Sequence, residues 1–383
     1  AMGAVLRAVT LMKGVRAAAG VYTLSQAYVG GDFFSQWDFW TNQDPSHGVV
    51  EYVDFETAVR AGLVNATSRR VYLGADMTRV ATGSGRRSVR IQSHGVYNRG
   101  LFVIRVDHVP TGCGVWPAFW MYGEDALHTW PEWGEYDIVE GVHSALQVIT
   151  SLHTQGDCDQ SRGSGVQNWD TGPTGAAADQ CSVMASDQWE NQGCAQVGPL
   201  GSLGAGFNYR GGGTYAAEWD PDAEHIRTWF WPVGMEPPSL EAHQADPESW
   251  GAPYSYFSLA SWICTPRSFV NMRLVLNLNF CGDLGEATFS KHCPEIADRM
   301  GCRDLVLNHG EDLTQAYWSI QRLDVYQKTQ AVEGLATPHH NVSGLVALCG
   351  ILLIVGAVFA VVLRRSCFEL FRINLFEPMK SVW

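Results

Sequence analysis

Charge is scarce in this chain. Only 17 % of its 383 residues are Asp, Glu, Lys or Arg, and 39 acids against 26 bases leave a formal net charge of −13. No Lys/Arg cluster stands in the first 340 residues to offset the acids, which excludes a nucleic-acid partner, because that binding depends on neutralising phosphates. Stretches at helical spacing are almost missing between residues 21 and 330, so a helical bundle is excluded. No Cys-x-x-Cys pair occurs, and the cysteines therefore do not read as a zinc site. The 40 glycines and 15 tryptophans exclude general disorder and describe a turn-rich, ordered protein with an aromatic surplus. A neutral polymer fits such a surface better than a charged one.

What fills the chain is short β-type runs separated by Gly, Asn, Asp and Pro. Strands are predicted over 88–93, 101–109, 136–139, 148–153, 215–219, 225–231, 271–280 and 317–327, from alternation and β propensity. So many strands in one chain predict an all-β protein whose two sheets pack as a sandwich over residues 21–330. Asp220-Pro-Asp-Ala-Glu224 reads as the turn of a hairpin flanked by Trp219 and Trp229. Residues 155–213 hold Cys158, Cys181 and Cys194 without a usable period, and read as a long disulfide-tied loop forming one wall of a cleft.

Eight of the ten cysteines (Cys113, Cys158, Cys181, Cys194, Cys264, Cys281, Cys293, Cys302) precede a hydrophobic tail, and Cys349 and Cys367 lie in or after it. An even set predicts disulfides and an oxidising compartment, with the pairing left open. Residues 343–363 carry no charge and are long enough for a transmembrane helix, with Arg364 and Arg365 directly behind. The positive-inside tendency then puts residues 1 to 340 outside the cell or in a lumen, with 331–342 as linker and 364–383 as cytoplasmic tail. Residues 1–20 have no clear role. Two sequons, Asn65-Ala-Thr and Asn341-Val-Ser, would accept glycans in that topology.

The chemistry is concentrated in Gly134-Glu135-Tyr136-Asp137-Ile138-Val139-Glu140-Gly141. In a regular strand Glu135 and Asp137 share a face, and Glu140, at an odd offset, points to the other. One extra residue within 138–140, a β-bulge, returns Glu140 to the face of the other two. Two carboxyls about 5 Å apart suit double displacement at a sugar, whereas inversion needs roughly 6.5 to 9.5 Å. Like charges so close raise the pKa of one carboxyl and keep it protonated as an acid. The alternatives are an exposed acidic strand or a calcium site, since carboxylate oxygens also suit a hard cation.

The wider sequence decides between them. Gly112-Cys-Gly-Val-Trp-Pro-Ala-Phe-Trp120, Trp130-Pro131 and the acidic octapeptide, together with Phe33-Phe-Ser-Gln-Trp-Asp-Phe-Trp40, Ser151-Leu-His-Thr154 and Phe280-Cys-Gly-Asp283, closely resemble glycoside hydrolase family 16, in its laminarinase-like fungal branch. The resemblance covers roughly residues 30 to 328 and implies a β-jelly-roll sandwich with a glucan cleft. It also implies Glu135 as nucleophile, Glu140 as general acid and base, and Asp137 as assistant. His153 matches a family histidine near the acid/base, where it would orient Glu140, contact sugar, or simply pack. Trp116 is the preferred stacking platform and Trp130 the second. Trp133 and Leu284 depart from the family pattern, and Trp133 is counted with the substrate-binding set for that reason.

The expected activity is a retaining endo-β-glucanase on β-1,3 or mixed β-1,3/1,4 glucans, acting as a monomer without a cofactor, a structural calcium ion aside. A wall-remodelling transglycosylase of the same fold and a membrane-tethered glucan receptor are the alternatives. The complete set of acidic residues favours turnover over binding alone.

Overall fold

In a computed structural model, residues 21–329 are described, apart from 82, 164 and 266. The segments expected to form the linker, the transmembrane helix and the tail, and the sequon at Asn341, lie outside the described residues, as do residues 1–20. Among the described residues no helix is long and apolar enough to cross a membrane.

Two antiparallel sheets make the fold. In the eight-stranded sheet the strands run, from one edge, Ser255–Ser258, His225–Pro232, Gly213–Asp220, Gly100–His108, Tyr317–Thr329, Val71–Gly74 and Val64–Ala66, and Val21–Tyr28 also pairs with Tyr317–Thr329. The seven-stranded sheet runs Cys194–Val197, Ile149–His153, Glu135–Glu140, Val115–Gly123, Met272–Phe280, Arg90–Ser93 and Trp37–Phe39. Side chains alternate along each strand, and one set from each sheet meets in a common core. Phe119, Met121, Leu274 and Leu276 come from one side, and Phe102, Ile104, Tyr215 and Leu323 from the other. Tyr136 Oη and Thr228 Oγ1, 2.6 Å apart, satisfy each other across that interior, as buried hydroxyls must.

Every strand expected from alternation is present, with ends shifted by only a few residues. Turn residues Pro221 to Glu224 close the hairpin, with Trp219 in the core between the sheets and Trp229 on the outer face. The shortage of helical spacing hid the short helices Phe55–Arg60 and Gly204–Tyr209 and one larger region. Helices Gly282–His292, Pro294–Ala297 and Cys302–Asn308 follow Met272–Phe280 of the seven-stranded sheet. The longest buries Gly282, Gly285 and Phe289, so two of its three inward positions are glycines, which leave no apolar stripe to read.

All eight cysteines of residues 21–329 are paired, as Cys113–Cys293, Cys158–Cys264, Cys181–Cys194 and Cys281–Cys302. Two of the bonds tie the helical segment to the sandwich, where Val115, Phe280, Leu305 and Val306 form a second small core. The Cys281–Cys302 bond spans 21 residues. Its removal by Cys281→Ser with Cys302→Ser is expected to cost about 3 kcal/mol, read as a drop in Tm of roughly 6 °C.

Candidate active site

Glu135–Glu140 is an interior strand of the seven-stranded sheet, and its register explains how three acids come together. Glu135 lies opposite Tyr122 on one neighbour and His153 on the other, and Asp137 opposite Trp120 and Ser151. The ladder then slips. Val139 faces Phe119 and Glu140 faces Ala118 and Ile149, so Ile138 has no partner on either side. Ile138 and Val139 both enter the core, at 0 % and 1 % exposure. Two consecutive side chains on one face reverse the alternation, and Glu140 emerges beside Glu135 and Asp137. Just before the strand, Gly134 has φ +73°, and a Cβ there would stand 1.8 Å from the Ser268 carbonyl oxygen; no other residue fits this approach.

Each acid has its own partner. Trp130 Nε1 donates to Glu135 Oε2 at 2.6 Å, and Trp116 Nε1 donates to Glu140 Oε1 at 2.9 Å. Asp137, 3 % exposed, meets His153 Nε2 at 2.9 Å, and the same nitrogen is 3.8 Å from Glu135 Oε1. Burial dominates the electrostatics. It pushes Glu135 up to about 8, with the charges of Asp137 and Glu140 adding to the effect while His153 and the Trp130 hydrogen bond oppose it. Burial, followed by the Glu140 charge, holds Asp137 well above the usual carboxylate range. Glu140 is raised by burial and drawn back by the Trp116 donor. The cluster therefore retains protons near neutrality, which ordinary carboxyls do not.

Trp116, expected as the first stacking platform, is half-buried beside Glu140. Its indole N–H is committed to Glu140, and its ring lies so close over Gly282 that a Cβ there would approach it to 2.6 Å. Trp130, 38 % exposed, combines a donor for Glu135 with an open ring. Trp133 stacks on His128, with ring centroids 4.2 Å apart. His153 addresses Asp137 rather than orienting Glu140. The segment 155–213, expected as one long loop, instead contains the edge strand Cys194–Val197 and the helix Gly204–Tyr209, and its backbone passes against His153, since a Cβ on Gly193 would stand 2.8 Å from its Nδ1.

Other residues of the same sheet face escaped the sequence reading. The Arg90 guanidinium lies 4.3 and 4.8 Å from the ring centroids of Trp40 and Trp120. Trp120 Nε1 donates to Asn277 Oδ1 at 2.7 Å, and Gln92 Nε2 to Tyr122 Oη at 2.8 Å. The signal was present: in Arg90-Ile-Gln92 and Asn277-Leu-Asn279 every second residue is polar, which marks a strand with one polar face. Glu135, Asp137 and His153 also bring ligand atoms within 4.8 Å of one another, but two carboxylates and an imidazole offer too few oxygens for calcium.

Residues 37–326 match the family model described as XgeA-like, catalytic GH16 domain. A probable glycosidase of Schizosaccharomyces pombe is 36 % identical over 313 residues, 81 % of this chain and 70 % of that protein. An endo-1,3(4)-beta-glucanase of Emericella nidulans is 34 % identical, over 87 % of this chain and 52 % of its own length, so the chain spans about half of that relative. Among solved structures, an elongating family 16 beta-1,3-glucosyltransferase has a TM-score of 0.69 at 35 % identity, covering 80 % of this chain and 100 % of that one. Laminarinase 16A of Phanerochaete chrysosporium, solved with 6-O-glucosyl-laminaritriose in donor and acceptor sites, gives 0.69 at 32 % identity with the same coverage. The bulged acidic strand, the sandwich that carries it and these relatives agree: the chain belongs to glycoside hydrolase family 16.

Proposed function

We propose that this enzyme cleaves β-1,3 or mixed β-1,3/1,4 glucans with retention of configuration, and that Glu135 is the nucleophile and Glu140 the general acid and base. The bulge at Ile138 carries this reading, because it sets two carboxyls in different surroundings on one surface. Glu135 attacks the anomeric carbon while Glu140 gives its proton to the departing glycosidic oxygen, and a glycosyl ester forms. Glu140 then takes a proton from water, whose oxygen displaces Glu135 and restores both groups. Burial keeps Glu135 protonated near neutrality, so it attacks only after its proton has passed to Asp137, and ester formation then removes the charge that burial disfavours. Asp137 shares a proton with Glu135, and His153 fixes Asp137. The exposed Trp130 ring supplies a stacking surface for a pyranose.

The test is product analysis on laminarin and on mixed-linkage glucan: new reducing ends that appear first as the β-anomer support the proposal, and the α-anomer first would end it. The similar glucosyltransferase structure favours a second reading, in which a sugar hydroxyl resolves the ester. Products longer than a defined laminarioligosaccharide substrate would identify that outcome.

Trp116→Phe keeps the ring and removes the donor to Glu140. Loss of a hydrogen bond to a charged group is worth about 1.5–3 kcal/mol, so kcat/KM should fall about tenfold or more. Because the lost bond lowers the Glu140 pKa, the alkaline limb of the pH–rate profile should move to higher pH, which pH-dependent kinetics would read.

The uncharged run at 343–363, followed by Arg364 and Arg365, supports a single-pass anchor with the enzyme outside. Asn65 is exposed on an edge strand and would accept a glycan there.

A further inference from the structure

We propose that the outer face of the eight-stranded sheet carries a second binding site for β-glucan, on the opposite side of the sandwich from the acids. The proposal rests on the reading that glucan is the substrate, and adds a site to it. Its centre is a cavity of about 310 Å³ lined by Arg105, Thr214, Glu236, Glu241 and Gln321, among others.

Strand register builds the site. Trp231, Thr214, Arg105 and Arg322 lie side by side across four strands. Their chain neighbours Tyr215, Ile104 and Leu323 belong to the core between the sheets, and Phe230 packs against it, so the row itself points outward. An indole, a hydroxyl and two guanidiniums thus form one line over about 14 Å, from three inter-strand spacings.

The polar groups are fixed before any ligand arrives. Thr214 Oγ1 donates to Glu236 Oε1 at 2.8 Å, Glu236 Oε2 accepts from the Gly234 N–H at 2.7 Å, and Gln321 Nε2 donates to Asp107 Oδ1 at 2.6 Å. Arg105 Nη1 pairs with Glu241 Oε1 at 2.7 Å. Arg322 Nε pairs in turn with Asp324 Oδ2 at 2.7 Å. These pairings decide the ligand class: among the described residues of the recess no spare cation remains to attract a phosphate, and the arginines oppose a metal ion. Carboxylate, amide, hydroxyl and guanidinium in one recess suit a neutral chain rich in hydroxyls. Trp231, half-buried and held edge-on by Trp250 at 5.3 Å, adds an aromatic surface beside Thr214. Such a site would hold an insoluble glucan while the cleft works on a nearby segment, raising its effective concentration.

The test compares retention on insoluble β-1,3-glucan with kinetics on soluble laminarihexaose. Two variants avoid dependence on one substitution: Glu236→Ala with Gln321→Ala removes polar groups, and Gln321→Trp fills the recess from an exposed position. With Tm unchanged, both should be retained about tenfold more weakly, equivalent to 1.4 kcal/mol, with kcat/KM on the hexaose within about twofold of wild type. Unchanged retention in the folded variants, or no retention of the wild type, overturns the site. Equal losses in retention and in hexaose kinetics also overturn it, since the cleft alone would then hold the polymer. Failure of the proposed activity would appear separately, as no turnover of hexaose by the wild type.

Discussion

Glu135→Ala is expected to lower kcat/KM on laminarin by about 10⁴-fold or more, and Glu140→Ala by a comparable factor, because each removes a group whose loss the rest of the site does not replace. The two variants separate in how azide rescues them on an aryl β-glucoside whose leaving group needs no proton. With Glu140 gone, Glu135 still forms the ester, and azide resolves it without needing a base, so the product is the β-glycosyl azide. With Glu135 gone, azide occupies the vacated space and displaces the aryl group directly, giving the α-glycosyl azide. The assignment is made by the anomer, not by the size of the loss. A β-azide from Glu135→Ala would mean that another carboxyl carries the sugar, with Asp137 the nearest candidate.

This strand was legible in the sequence because parity is a strong constraint. Three acids at offsets of two and three residues cannot share a strand face unless one residue is added, so the need for a bulge follows from Glu135, Asp137 and Glu140 alone. Which residue is extra was not legible, because Ile138 and Val139 are equally apolar and only pairing with Phe119 and Ala118 distinguishes them. The strands were found for the same reason: alternation is local. Partners across the sandwich are not. Nothing near Trp116 in the chain shows that its indole meets Glu140, 24 residues away, nor that His153 meets Asp137. Arg90 reads as an ordinary surface charge until the fold brings the Trp40 and Trp120 rings to it. The helices after residue 281 were hidden because disulfides and packing, rather than an apolar stripe, hold them.

Glu135→Gln should make the protein more stable at pH 8 than the wild type, at the expense of activity. The group has an ordinary pKa of 4.5 when unfolded and about 8 in the fold, so the native state binds its proton more tightly than the unfolded chain does. Below pH 4.5 both states are protonated and there is no penalty. As pH rises from about 4.5 to about 8 the unfolded state releases its proton first, and the wild type loses stability throughout that window. Glutamine has no proton to lose and keeps the hydrogen-bonding shape. At about 1.36 kcal/mol per unit, the advantage at pH 8 is on the order of a few kcal/mol, seen as a rise in Tm of several degrees at about 2 °C per kcal/mol. It should shrink to nothing by pH 4. The exposed Glu132 changed to Gln supplies the baseline, with no such pH-dependent gap. If Glu135→Gln and wild type melt together at pH 8, the carboxyl is not carrying the cost of its burial, and the argument that discharging it assists ester formation fails with it.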